Sequence, residues 1–326
     1  VARIALDVMG TDRGPAEIVA GAIMAAGVGH EMVLVGDREV IEPELTAKGA
    51  DLEVVHAPDV VGMGEDPAKA VRDKPRSSIM VASRLVASGD ADALVSAGST
   101  GATMTAASIV IGRLEGVQRP AIATPIPRAS GFPTLILDAG ANLEVKPAHL
   151  VRFAVMGALV AEIVYAIDRP RVGLLNIGEE PSKGREVERS AFRLLEEAPV
   201  NFVGNIEGGD IPGDVADVVV TDGFTGNVVL KTMEGTAGLV LALVSDAFGR
   251  HPSGSPGDMT SVIEEVRMMI DPELCAGGAY LLGTRAGVVI GHGSSSRNAV
   301  FNAVRLAAEG VKGGLAERME RGLARS

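Results

Sequence analysis

Short apolar runs recur along the chain, each followed by a small, polar, glycine-bearing turn and then by apolar residues at helical spacing. Arg3–Val8, Glu31–Val35, Leu52–His56, Ala93–Ser96 and Ile122–Ile126 read as strands, as do Thr134–Leu137, Val172–Asn176, Phe202–Gly204, Val218–Val220 and Val288–Ile290. Helices are predicted over Ala16–Ala26, near Glu39–Lys48, and over Ser77–Ser88, His149–Ile167 and Asn298–Glu309. Others begin at Ser99 or Thr100, end at Glu197, and run from Val228 to about Phe248. Pro15 and Pro147 sit in first helical turns, where a missing N–H costs little. Val61–Ser78 reads as irregular. Strands alternating with helices at this spacing predict an α/β fold, a mainly parallel sheet with helices on both faces. No linker divides residues 1–326, so a single two-lobed domain is expected. Helices Thr236–Phe248 and Met259–Ile270, joined by the linker-like Ala247–Asp258, predict a projecting hairpin of about 236–270 for dimerisation or docking.

A mean hydropathy of +0.27 and 41 glycines fit a packed chain punctuated by turns. The net charge of −12 argues against a nucleic-acid surface, and 3% aromatic content with no Trp against base stacking. Cys275 stands alone, so neither a disulfide framework nor a thiolate metal site is available, and it reads as a small packed residue. The five histidines are scattered and no metal-ligand spacing occurs; neither metal nor cofactor is expected. No signal peptide is visible, and Phe153–Ile167 and Leu239–Val244 fall short of the roughly 20 residues that span a bilayer. A soluble cytoplasmic protein is expected.

Six strands end in polar, glycine-containing loops, at Asp7, Ser96, Asp138, Asn176, Asp222 and His292. Ligands of parallel α/β sheets bind outside the carboxyl ends of the strands. The loops carry Asp7, Asp12, Ser99, Thr100, Asp138, Asn142, Lys183, Asp222, Asn227, Lys231 and His292, which predicts one shared cleft. About half of these side chains are expected to serve only buried loop amides. His292 reads as a loop hydrogen-bonder rather than a general base. The stretch Asp217–Gly235, DVVVTDGFTGNVVLKTMEG, is the centre of this pattern: strand, tight loop, helix start, with Asn227, Lys231 and the carboxylate of Asp222 close by. Loop amides and a helix N-terminus at one spot can hold an anion; the plain alternative is an ordinary turn whose glycines serve the backbone. Lys69, Arg72, Lys74 and Arg76 crowd positive charge into an otherwise acidic chain, either as a solvated face or as the place where an acidic partner docks.

Seven motifs then fall in order: DVMGTD (7–12), DPAKAVRDKPRSS (66–78), VSAGSTGA (95–102), LDAGAN (137–142), GLLNIGEEPSKG (173–184), DGFTGNVVLKTMEG (222–235) and LLGTRAGVVIGHGSS (281–295). Together they resemble the bacterial phosphate acyltransferase family PlsX, over nearly the whole chain. The resemblance implies a fold like isopropylmalate dehydrogenase and phosphotransacetylase, a homodimer, and attack of inorganic phosphate on the thioester of acyl carrier protein. The acyl phosphate then serves a membrane glycerol-3-phosphate acyltransferase in phospholipid synthesis. Within that reading Lys183 and the amides of Gly98, Ser99, Thr100 and Gly101 hold phosphate. Asn227, with the Gly226 amide, takes the thioester oxyanion, and Asp222 joins Lys183 and Asn227 as a catalytic residue. Lys231 supports the loop, and Asp7, Asp12, Asn142, Lys231 and His292 line the substrate site. Arg72, Lys74 and Arg76, with Arg84 behind them, are the docking residues for the acidic carrier protein. Thr11, Ser99 and Gly209 depart from the family pattern, which favours Gly, Asn and Arg there. Family members attach to membranes through the hairpin tip, which leaves a peripheral membrane location as the alternative to a purely cytoplasmic one, although HPSGSPGD offers little to insert. Two rival readings are a nicotinamide-linked decarboxylating dehydrogenase, which needs an arginine clamp and a metal-binding Asp cluster not evident here, and a non-catalytic carrier-protein scaffold.

Overall fold

Val218, Val219 and Val220 are wholly buried, with the outer two facing one hydrophobic cluster and Val219 the other. Ile4 and Leu6 against Ala5, and Ala93 and Val95 against Leu94, divide in the same way. That period-two split with both faces apolar is what a sheet covered by helices on each side requires. The computed structural model describes residues 1–128, 131–250, 261–266, 270 and 277–324. Its strands are β1 (Arg3–Asp7), β2 (Glu31–Gly36), β3 (Glu53–His56), β4 (Ala93–Ser96), β5 (Ala121–Ile126), β6 (Thr134–Leu137), β7 (Arg171–Leu175), β8 (Asn201–Ile206), β9 (Val218–Val220), β10 (Ala279–Leu282) and β11 (Gly287–Ile290). The helices are α1 (Pro15–Gly27), α2 (Arg38–Ala47), α3 (Pro67–Asp73), α4 (Ser78–Ser88), α5 (Thr100–Ala106), α6 (Pro147–Val164), α7 (Glu186–Glu196), α8 (Gly223–Arg250), α9 (Arg297–Lys312) and α10 (Leu315–Leu323).

All eleven strands form one sheet, in the order β3-β2-β1-β4-β11-β10-β5-β6-β9-β7-β8. The mainly parallel sheet expected from the spacing is present, interrupted by three consecutive antiparallel pairings. β10 runs antiparallel to both β11 and β5, and β5 antiparallel to β6. The block β3-β2-β1-β4-β11 therefore runs one way and β6-β9-β7-β8 the other. The six polar strand ends do not share one edge, as a uniformly parallel sheet would require; three belong to each block. The register brings them together. Ile290, ending β11, pairs with Ala279, whose neighbour Tyr280 pairs with Ala123, which pairs with Leu137 at the end of β6. The two sets of carboxyl ends thus meet near mid-sheet, three strand spacings or roughly 14 Å apart.

Four elements differ from the sequence reading. α3 lies inside the stretch expected to be irregular, capped by the Asp66 carboxylate on the Lys69 amide at 2.8 Å. β10 and α10 were not expected. α8 begins at Gly223, earlier than Val228, and continues to Arg250. Among the described residues two helices, α6 and the Gly223–Ala247 portion of α8, are long and apolar enough to cross a membrane by length and composition, contrary to the expectation that every apolar stretch falls short. α6 is a core helix, with Phe153 and Leu150 buried against the sheet. The first two turns of α8 bury Gly223, Gly226 and Leu230, but no residue from Lys231 to Ala247 is buried. The hairpin tip at 251–258 and Cys275 lie outside the described residues.

At the amino ends of the second block an ion cluster pins the β5–β6 hairpin to β7 and β9. Arg171 donates from its amide and from Nε to Oδ2 of Asp217, at 2.8 and 3.0 Å, and buried Arg128 reaches Oδ1 at 3.2 Å. Burial alone would raise the Asp217 carboxyl, but the bonds from Arg171 and Arg128 win and lower it to about 2. A lowered carboxylate stabilises the fold above its ordinary pKa, and that contribution disappears as pH falls toward about 2. Asp217→Asn is expected to lower stability by about 2 kcal/mol at neutral pH, with the deficit closing in acid; urea melts at the two pH values measure it.

Candidate functional site

The second block builds its half of the site around a turn that starts at Asp138. This carboxylate is fully buried and accepts from the amides of Ile122 (3.0 Å), Gly140 (3.2 Å), Ala141 (3.0 Å) and Asn142 (2.6 Å), and from Nδ2 of Asn142 (2.8 Å). Burial pushes its pKa up and the hydrogen bonds oppose that. Asn142 also donates to the Pro120 carbonyl at 2.8 Å and is buried, so the structure places this expected substrate ligand inside the turn's own scaffold.

The start of α8 lies directly on that turn. The Gly223 amide donates to the Asn142 carbonyl at 2.7 Å. A Cβ at Gly223 would stand 2.7 Å from the Asn142 amide nitrogen, and one at Gly226 only 1.9 Å from the Asp138 carbonyl oxygen. Asp222 caps the helix, accepting from the Thr225 amide at 2.7 Å and the Thr225 hydroxyl at 2.9 Å, and Arg185 donates to it at 2.5 Å. Burial raises the Asp222 pKa, but these donors outweigh it and hold the carboxyl low. With the amides of Gly223, Thr225 and Gly226 all given to protein acceptors, the anion-holding capacity expected of this loop passes to its side chains. Asn227 is exposed and donates to the Ala139 carbonyl at 3.4 Å, long for an N–H···O bond. Lys231, one turn on, pairs with Glu234 at 2.7 Å.

The first block supplies the facing loops. Asp7 lies beneath them, 3% exposed, accepting from the Ser96 hydroxyl at 2.8 Å and the Met9 amide at 3.2 Å. Ser99 caps α5 through the Ala102 amide at 3.4 Å, and Thr100 is exposed. Gly101 is needed for closeness, since a Cβ there would stand 2.5 Å from Pro67. Asp12 is exposed, and its amide ties the first loop to the last through the Gly293 carbonyl at 2.9 Å. The Ser294 amide donates to Nδ1 of His292 at 3.2 Å; a backbone N–H can only donate, so the neutral ring carries its proton on Nε2. That agrees with a loop hydrogen-bonder.

Thr100 and His292 from one block and Asn227 and Lys231 from the other line a single cavity of about 260 Å³. Its remaining wall is mostly apolar, with Ile122, Leu230 and Ile290 prominent, and carries Thr124 and the Lys231 partner Glu234. Lys183 is not part of that wall: its ammonium stands 3.8 Å from Glu180, and its carbonyl accepts from Asn176 at 3.2 Å. Its loop adjoins the cleft through Arg185, which bridges Asp222 to Glu188. Sequence reasoning missed Arg185, although an arginine beside Lys183 at a helix start was a usable signal. In the basic stretch, Arg72 and Arg76 are exposed beside Asp73 and Asp59. Lys74 instead pins its own loop, donating to the Val60 carbonyl at 2.8 Å and to Glu65 at 2.7 Å, and Arg84 donates to the Pro75 carbonyl at 2.7 Å.

The sequence pattern of the family described as "Fatty acid synthesis protein" matches residues 2–318. A phosphate acyltransferase of Desulfitobacterium hafniense is 47% identical over 99% of this chain and 98% of its own length. The phosphate acyltransferase of Bacillus subtilis is 43% identical, covering 95% and 94%. Among solved structures, a phosphotransacetylase from Streptococcus pyogenes superposes with a TM-score of 0.66 at 18% identity, covering 95% of this chain and 94% of that one, a likeness of fold.

Proposed function

The chain belongs to the PlsX family of fatty acid synthesis proteins, and from that membership we propose that it transfers a fatty acyl group from acyl carrier protein to inorganic phosphate. Phosphate is already an oxyanion nucleophile and a thiolate leaves readily, so no covalent enzyme intermediate is needed. A phosphate oxygen attacks the thioester carbon, the tetrahedral oxyanion collapses, the C–S bond breaks and the carrier protein leaves as thiolate. The enzyme must place the two reactants and stabilise the oxyanion. The supporting observation is the cavity where Thr100 and His292 face Asn227 and Lys231 beside a mostly apolar wall. Phosphate is assigned to the Gly98–Gly101 turn with Lys183 reaching in from the adjoining loop, and the oxyanion to Asn227. A second copy of the chain is assigned to the outer part of α8, where Leu239, Val240 and Leu243 are at least half exposed and Gly235 and Gly238 face open space. In this reading the acyl phosphate forms in the cytoplasm and feeds a membrane glycerol-3-phosphate acyltransferase of phospholipid synthesis.

Incubation with acyl carrier protein carrying a fatty acyl thioester, plus phosphate, tests the reading: acyl phosphate trapped as its hydroxamate supports it, and carrier-protein binding without product leaves a scaffold. In the same assay Arg72→Glu with Arg76→Glu is expected to raise the carrier-protein KM about tenfold at low salt and to flatten its salt dependence. Unchanged KM would remove the docking assignment.

A further inference from the structure

Asp7 is a buried carboxylate that the reaction above does not use. The Ser96 hydroxyl donates to it at 2.8 Å, and the same Ser96 oxygen accepts from the Gly98 amide at 3.2 Å and lies 3.3 Å from the Thr103 hydroxyl. Ser96 is wholly buried, and an added Cβ at Gly98 would lie 3.5 Å from Oδ2 of Asp7. The carboxylate thus sits one hydroxyl away from the turn assigned to phosphate.

We propose that Asp7 is a positioning residue: through Ser96 its carboxylate sets the Gly98–Gly101 turn for phosphate, and the turn loses that setting when the group is neutral. The inference rests on the phosphate reading of that turn. An ionised carboxylate only accepts, so Ser96 must give its proton to Asp7 and turn its lone pairs to Gly98 and Thr103. A neutral carboxyl, or an amide, can donate to Ser96 and compete for the lone pair that the Gly98 N–H uses. The groups facing Asp7 are Ser78 from α4, Ser96 from β4 and the Met9 amide, with Gly98 packed above; none is titratable. Burial, with no cation among the described residues to offset it, raises the Asp7 carboxyl to about 6. The ionised form is therefore complete above that value, and the neutral form grows as pH falls through it. An asparagine would serve a purely structural role at least as well, since it avoids burying an unpaired charge.

Asp7→Asn and Ser96→Ala, assayed with both substrates across pH, test this. At neutral pH each is expected to raise the phosphate KM at least about tenfold, with the acyl-thioester KM unchanged. The double variant is expected to be no worse than the poorer single one. Relative to Asp7→Asn at the same pH, where phosphate's own ionisation cancels, the wild-type phosphate KM rises as pH falls through about 6. Ser96→Ala keeps the carboxylate and removes only the link, so its phosphate KM stands as a separate test if Asp7→Asn folds poorly. Equal loss in both KM values, an unchanged phosphate KM, or additive effects would overturn the proposal. Failure of the wild type to form acyl phosphate would instead overturn the reading beneath it.

Discussion

Gly226→Ala is expected to cost at least about 3 kcal/mol of stability and to remove measurable turnover. The added methyl would stand 1.9 Å from the Asp138 carbonyl oxygen. A flexible side chain could rotate away, but this oxygen belongs to a turn whose amides Asp138 already holds. Relief requires α8 to lift, which breaks the 2.7 Å bond from the Gly223 amide to Asn142 and carries Asn227 away from Ala139. The requirement is close approach, since Gly226 is not among the residues with positive φ. Gly27→Ala, at the end of α1 with open space around it, is the control and is expected to gain up to about 1 kcal/mol. Urea denaturation and turnover measure both; a Gly226→Ala protein as stable as its parent would mean that α8 is not seated on this turn.

Asn227→Ala separates chemistry from folding. Turnover is expected to fall by roughly 10²–10³, about 3–4 kcal/mol of transition-state stabilisation, as for loss of one oxyanion donor. Stability is expected to stay within about 0.5 kcal/mol, because the side chain is exposed and its single hydrogen bond to Ala139 is 3.4 Å long. Asn227→Asp keeps the shape, loses the donors and adds a like charge, so it is expected to fall at least as far. Single-turnover rates with acyl-thioester and phosphate read the effect directly. Full activity in Asn227→Ala would take the oxyanion role away from this residue.

Much of the fold was legible in the sequence. Runs such as Val218–Val220 and the prolines at helix starts act locally, through backbone preference and side-chain periodicity, so strands and helices could be placed. α10 was also legible, since Leu315, Met319 and Leu323 recur at one helical face, but it was overlooked. β10 was harder: four residues, AYLL, between glycines carry no pattern that distinguishes a strand from a packed turn. Its partner on one side, β5, is more than a hundred residues away, and that pairing reverses the sheet.

The site divides the same way. Its residues were nearly all named from the loops that follow the strands, but their work was not. Asp138, Asn142 and Asp222 looked like ligands and are occupied by neighbouring amides, while Lys183 sits beside the cleft rather than in its wall. By itself the sequence determined the alternation of strand and helix, the ordered motifs and hence the family. Those signals are local, or are strings that can be compared. Only the tertiary structure decided that two opposed sets of strand ends meet, that Asp7 is buried beneath a turn, and that Gly226 lies against a carbonyl 88 residues before it. Each is a contact between distant segments, set by packing and register, which no local preference specifies.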